Sequence, residues 1–106
     1  MLFPDRDSRQ RGLVPPERLA QLHVLVIGVG AIGRQVALQL ACLGVSRLTL
    51  MDHDTVGVEN LAVQGYWPSD LNQEKVQATG SLCQHILPDQ QLTLLAERYR
   101  RYPGWI

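Results

Sequence analysis

Residues 28–33 read Gly28-Val29-Gly30-Ala31-Ile32-Gly33, directly after the apolar run Val24 to Ile27, and Asp52 closes the next apolar run downstream. Glycines at the first, third and sixth places of such a turn suit a diphosphate. Gly28 can turn tightly at the end of a strand, Gly30 leaves room for a phosphate, and Gly33 lets the following helix pack closely on a sheet. N–H groups freed at the helix start then face the anion, aided by the helix dipole. Asp52, at the carboxyl end of the second strand, is placed to accept hydrogen bonds from ribose hydroxyls. Lys75 sits in the first turn of a later helical pattern, where a cation opposes the dipole at a cost on the order of a few tenths of a kcal/mol. That placement makes sense beside a phosphate, and the chemistry these residues share is nucleotide binding.

The other reactive side chains read as structural. Cys42 and Cys83 lack CxxC or Cys/His spacing, so structural zinc is not expected, and each is expected as a small buried helix residue rather than a nucleophile. His23 opens a strand and is expected at the surface or satisfied by a neighbour, His53 faces a loop with no general-base partner in view, and His85 is expected in solvent. Tyr66 and Trp67 read as an anchor of that loop against the core.

The elements that must hold these residues follow from periodicity. Pro15-Pro16 precede a short helix at Glu17 to Gln21, and the polar arm before it carries Arg6, Arg9 and Arg11. His23 to Val29 is a first strand whose almost unbroken apolar character predicts burial on both faces. A helix follows from about Ala31 to Leu43, with Ile32, Val36, Leu40 and Leu43 on one side and Gly44 as its stop. Arg47 to Met51 is the second strand. A loop from His53 to Asp70 exceeds the usual two to six or so residues of such connections, which marks it as functional. A second helix spans about Asn72 to Leu87, turning Val76, Cys83 and Ile86 inward, and Pro88 ends it. Gln91 to Ala96 is the third strand. Strand, helix, strand, helix, strand is a Rossmann-like βαβαβ half of a doubly wound parallel sheet, with residues 1–22 as an arm and short helix and 23–106 as a partial nucleotide-binding domain.

At 106 residues with zero formal net charge and a pI near 6.8, the chain is one domain at most, with no electrostatic case for nucleic acid or an anionic membrane. No apolar run approaches the roughly 20 residues of a membrane span, and Met1 to Gln10 is too polar for a signal peptide, so a cytoplasmic protein is expected.

Around the loop the chain reads Asp52-His53-Asp54-Thr55-Val56, then Glu59-Asn60-Leu61-Ala62-Val63-Gln64, then Lys75 at a helix start. With the VxGxGxxG turn, these segments resemble the ubiquitin-activating-enzyme-like family of MoeB, ThiF and HesA type, with its DxDxV and NLxRQ-like segments and following lysine. Arg6-Asp7-Ser8-Arg9-Gln10 is similar to that family's RxxRQ arm. The resemblance covers roughly residues 6 to 96.

It implies ATP-dependent adenylation of the C-terminal carboxylate of a ubiquitin-like or sulfur-carrier protein, with Mg2+ and release of pyrophosphate. The glycine turn and Ala31 would contact the nucleotide, Asp52 the ribose, and Asn60, Gln64 and Lys75 the region of the phosphates, with Asp54 close by. Arg9 would match the arginine that the arm offers to the ATP of a second subunit, which implies a homodimer; the open edge of a three-stranded sheet argues the same way. Two departures stand out. Val63 replaces the arginine of NLxRQ, and the family's metal-associated aspartate falls beyond Ile106, so no metal ligand is expected in this chain and a truncated or fragmentary member is expected. Two other readings remain: a non-catalytic nucleotide-binding or interaction module, favoured by Val63, and an NAD-binding half-domain, which leaves Arg9, Asn60 to Gln64 and Lys75 unexplained.

Overall fold

A computed structural model describes residues 16–99. Arg9, the rest of the arm up to Pro15 and the tail from Arg100 to Ile106 lie outside the described residues.

The order is α1 (Pro16–Gln21), β1 (His23–Ile27), α2 (Ala31–Leu43), β2 (Arg47–Met51), α3 (Leu61–Gln64), α4 (Lys75–Ile86) and β3 (Gln91–Leu95). The three strands are parallel in the order β1-β2-β3, with His23 level with Arg47 and Arg47 level with Gln91. Two connections running in one direction place both crossover helices on one face of the sheet. There Val26, Leu48 and Leu50 meet Ala37 and Ala41 of α2 and Val76 and Cys83 of α4. This is the βαβαβ arrangement expected from the sequence.

Burial of β1 on both faces does not occur among the described residues. Leu25 and Ile27 are exposed, and with His23, Thr49, Thr93 and Leu95 they belong to a sheet face that α2 and α4 leave bare. Alternation along β1 is what a one-sided sheet produces.

α2 also turns differently from its apolar stripe. Ile32 is 81% exposed and Val36 and Leu43 are 40% and 42% exposed, Leu40 alone of the stripe packs against the core, and Arg34, Ala37 and Ala41 face inward instead. Close approach decides the matter. A Cβ on Gly33 would lie 1.7 Å from the Gly28 carbonyl oxygen, so the helix start touches the strand end, and Ala37 and Ala41 continue that close contact while Arg34 is buried beside them. Gly44 stops the helix at φ 95°, with the Val45 N–H reaching the Leu40 carbonyl, a left-handed C-terminal cap.

The segment expected as a loop from His53 to Asp70 contains α3 and two short 3-10 turns, Val58–Asn60 and Pro68–Asp70. Its far end is tied down. Val56 N–H donates to the Gln73 carbonyl and Asn72 N–H to the Val56 carbonyl, with Thr55 and Glu74 paired antiparallel. These bonds keep residues 72–74 out of the helix, so α4 begins at Lys75 rather than at Asn72.

Candidate functional site

The glycine turn lies where parallel strands end. Gly28 takes φ +87° with nothing near the place of a Cβ, so backbone conformation rather than space requires glycine there. Its N–H donates to the Met51 carbonyl at 2.7 Å. Gly33 is required by the contact with the Gly28 carbonyl. Gly30 is different: a Cβ would meet the Gln64 side chain at an ordinary 3.6 Å, so the protein itself leaves that space available. Ala31 begins α2 in an exposed position.

Asp52 organises this edge. One carboxylate oxygen accepts the Val29 N–H at 2.8 Å, and the other accepts the Asp54 N–H at 2.8 Å. The glycine turn and the loop after β2 are thus clamped to one carboxylate, which keeps further lone pairs. A cavity of about 250 Å³ lies against Gly28, Asp52, Asp54 and Tyr99.

Lys75 is buried, with its side chain 8% exposed and its Nζ 3.8 Å from the half-exposed Asp54 carboxylate. Its N–H also donates to the Asp54 carbonyl at 3.0 Å. A surface lysine would not be held from two directions. His53, expected to lack a partner, lies 3.2 Å from Asp54.

Gln64 faces Gly30 from α3, and its buried Oε1 has no hydrogen-bond partner. Asn60 is buried, and its Oδ1 accepts the Gly57 N–H at 2.8 Å, so this oxygen shapes the turn leading into α3. Val63 points outward at 76% exposure. The structure therefore gathers Gly28, Gly30, Gly33, Asp52 and Gln64 around the turn and couples Lys75 to Asp54. Asn60 lies within the loop, just before α3, and Arg9 lies outside the described residues.

Asp52, His53 and Asp54 bring their ligand atoms within 4.8 Å of one another, but they do not suit Mg2+. Asp52 already accepts two backbone N–H groups and Asp54 already faces Lys75 and His53, and the three residues offer two carboxylates and one imidazole, whereas Mg2+ takes oxygen donors in near-octahedral array.

Sequence reasoning missed Arg34, Tyr66 and Thr79 as a unit. Arg34 donates to Thr79 Oγ1 at 3.0 Å and stacks 4.2 Å from the Tyr66 ring centre. Tyr66 Oη donates to the Val29 carbonyl at 2.6 Å. Burial raises the Tyr66 pKa, against the Thr79 hydrogen bond and the Arg34 charge, and the ring stays a neutral donor. The available signal was the spacing Arg34, Ala37, Ala41, which puts the arginine on the helix face that small residues mark as close-packed. Trp67, grouped with Tyr66 as an anchor, is instead 56% exposed. Cys83 is buried as expected, Cys42 is exposed, and His23 is satisfied by Thr49 at 2.8 Å.

The ThiF family model matches residues 7–101. The ubiquitin-like modifier-activating enzyme 5 of Caenorhabditis elegans is 36% identical over 76 residues, covering 72% of this chain and 18% of the relative. The sulfur carrier protein ThiS adenylyltransferase of Escherichia coli is 37% identical over 83 residues, covering 77% of this chain and 33% of the relative. Among solved structures, the Escherichia coli tRNA N6-threonylcarbamoyladenosine dehydratase TcdA in complex with AMP superposes with a TM-score of 0.81 at 25% identity, covering 88% of this chain and 39% of that one. The chain spans a third or less of the length of these two sequence relatives.

Proposed function

Because the chain belongs to the ThiF family, we propose that it forms the nucleotide-binding front of an ATP-dependent adenylating enzyme acting on the C-terminal carboxylate of a ubiquitin-like or sulfur-carrier protein. The observation that carries this reading is the clamp on Asp52. One carboxylate fixes both the glycine turn and the loop leading to Asp54 and Lys75. The relatives named for activating a ubiquitin-like modifier and for adenylating ThiS, and a solved relative holding AMP, support it.

In such a reaction a carboxylate oxygen attacks the α-phosphorus of ATP, the bond to the β-phosphate oxygen breaks, and pyrophosphate leaves. Two anions must meet, so positioning and positive charge carry the catalysis. The turn N–H groups would face the phosphates, Asp52 would accept from the ribose, and Gln64 would reach the phosphate region past Gly30. Lys75 would exchange its long contact to Asp54 for a phosphate oxygen, and Asn60 and Asp54 would hold the loop around it. Mg2+ bound to ATP would supply charge neutralisation on its phosphates. Arg9 would act across a homodimer in this reading.

The test is ATP–pyrophosphate exchange with ubiquitin-like and sulfur-carrier proteins, alongside calorimetric titration of ATP and NAD. Saturable ATP binding with carrier-dependent exchange is expected. ATP binding without exchange for any carrier points to the second reading, a non-catalytic nucleotide-binding module, which the solvent-facing Val63 favours. Preference for NAD overturns both.

A further inference from the structure

Arg34 has the largest side chain among the fully buried residues, at 2% exposure. Its partners are Thr79 and the face of Tyr66, neither of which carries a negative charge, and among the described residues no carboxylate pairs with it. Removing a charge from water without a counter-ion is strongly unfavourable. The first turn of α2 adds to that cost, because the helix dipole there opposes a cation. Lys75, the other buried cation, also stands at a helix start, and its one carboxylate contact is long. Arg34 is thus a buried cation without a carboxylate partner among the described residues, whereas Lys75 has Asp54 at 3.8 Å.

Arg34 is tied to the parts of the site that would touch phosphate. Tyr66, under its guanidinium, donates to the Val29 carbonyl inside the glycine turn. Arg34 Nε lies 3.9 Å from the place of a Cβ on Gly65, next to Gln64, whose orphaned Oε1 borders Gly30. Resting on the nucleotide reading above, we propose that Arg34 is a positioning residue for the phosphates of ATP. Its buried guanidinium supplies, through low-dielectric protein, positive charge that the solvent-facing Val63 does not. Its hold on Tyr66 and Thr79 keeps the turn N–H groups aimed at the anion.

The test titrates adenosine, AMP, ATP and inorganic tripolyphosphate against the 106-residue chain and its Arg34→Met and Arg34→Lys variants. For Arg34→Met, adenosine affinity is expected to stay within about twofold, while ATP and tripolyphosphate weaken about tenfold. Arg34→Lys should recover most of that loss. An equal loss for adenosine and ATP, or no recovery with lysine, reduces Arg34 to packing and overturns the proposal. Unchanged ATP affinity in Arg34→Met overturns it too, while leaving the nucleotide reading intact. Tripolyphosphate binding without ATP binding by the unaltered chain overturns the nucleotide reading and, with it, the role of Arg34 toward ATP, and binding of neither does the same. If Arg34→Met fails to fold, the Arg34 Nε resonance of the unaltered chain decides: a shift with tripolyphosphate but not with adenosine supports the proposal, and no shift overturns it.

Discussion

Asp52 and Val29, 23 residues apart, are joined at 2.8 Å by a carboxylate accepting a backbone N–H. The glycine turn is therefore held by the residue that follows the next strand. Asp52→Ala is expected to cost about 1.5–3 kcal/mol, the range for hydrogen bonds to a charged group. Asp52→Asn, whose amide nitrogen cannot accept, should lose one of the two bonds and fall between. Urea melts give the stabilities, and ATP titrations on the folded fraction should show a larger loss than that of stability. Wild-type affinity in Asp52→Ala would remove the ribose contact from the reading.

The three glycines of the turn should behave differently when each is changed to alanine. Gly33→Ala drives a methyl into the Gly28 carbonyl and should cost about 3 kcal/mol or more. Gly28→Ala places a side chain at φ +87°, at a cost of about 1–2 kcal/mol. Gly30→Ala meets only ordinary contact with Gln64 and should cost about 1 kcal/mol or less, yet weaken ATP at least about tenfold. Thermal melts paired with calorimetry separate the two effects. A Gly30→Ala variant that keeps ATP affinity would mean that no phosphate approaches that backbone.

These differences also mark what could be read from the chain. Gly28, Gly33, Gly44 and Asp52 were legible because each does a local job that few other residues can do. The facing of α2 was not, since Ile32, Val36 and Leu43 outweigh Ala37 and Ala41 in any hydrophobic pattern, while close approach at Gly33 favours the small side. Arg34 was invisible for a related reason: its partner Thr79 is 45 residues away. The elements between His53 and Asp70 are too short to show a period, and their positions come from Asp52, Asn60 and the pairing of Thr55 with Glu74.

Lys75→Met separates ligand binding from stability. The lysine is buried at a helix start with only a long contact to Asp54, so a neutral side chain of similar length should leave stability within about 1 kcal/mol of wild type or raise it. ATP affinity should fall by more than about tenfold, the scale of a charge-assisted hydrogen bond. Unchanged ATP affinity in this variant would take Lys75 out of the phosphate site.

The two thiols should report on the core through pH. Burial pushes the Cys83 thiol from 9.0 up to about 11, with the Arg34 charge acting in the opposite direction. Between these values the unfolded chain releases a proton that the folded chain keeps. The contribution is therefore fully present below about pH 9 and is lost as pH rises through about 11. Two units correspond to about 2–3 kcal/mol. Cys83→Ala should lower stability at pH 7 by its cavity but flatten the decline between pH 9 and 11, measured as urea midpoints. At pH 8 a disulfide reagent should modify the exposed Cys42 rapidly and Cys83 only on unfolding. Rapid reaction of both thiols would show that α4 does not stay packed against Ala37 and that the burial of Arg34 beside it fails with it.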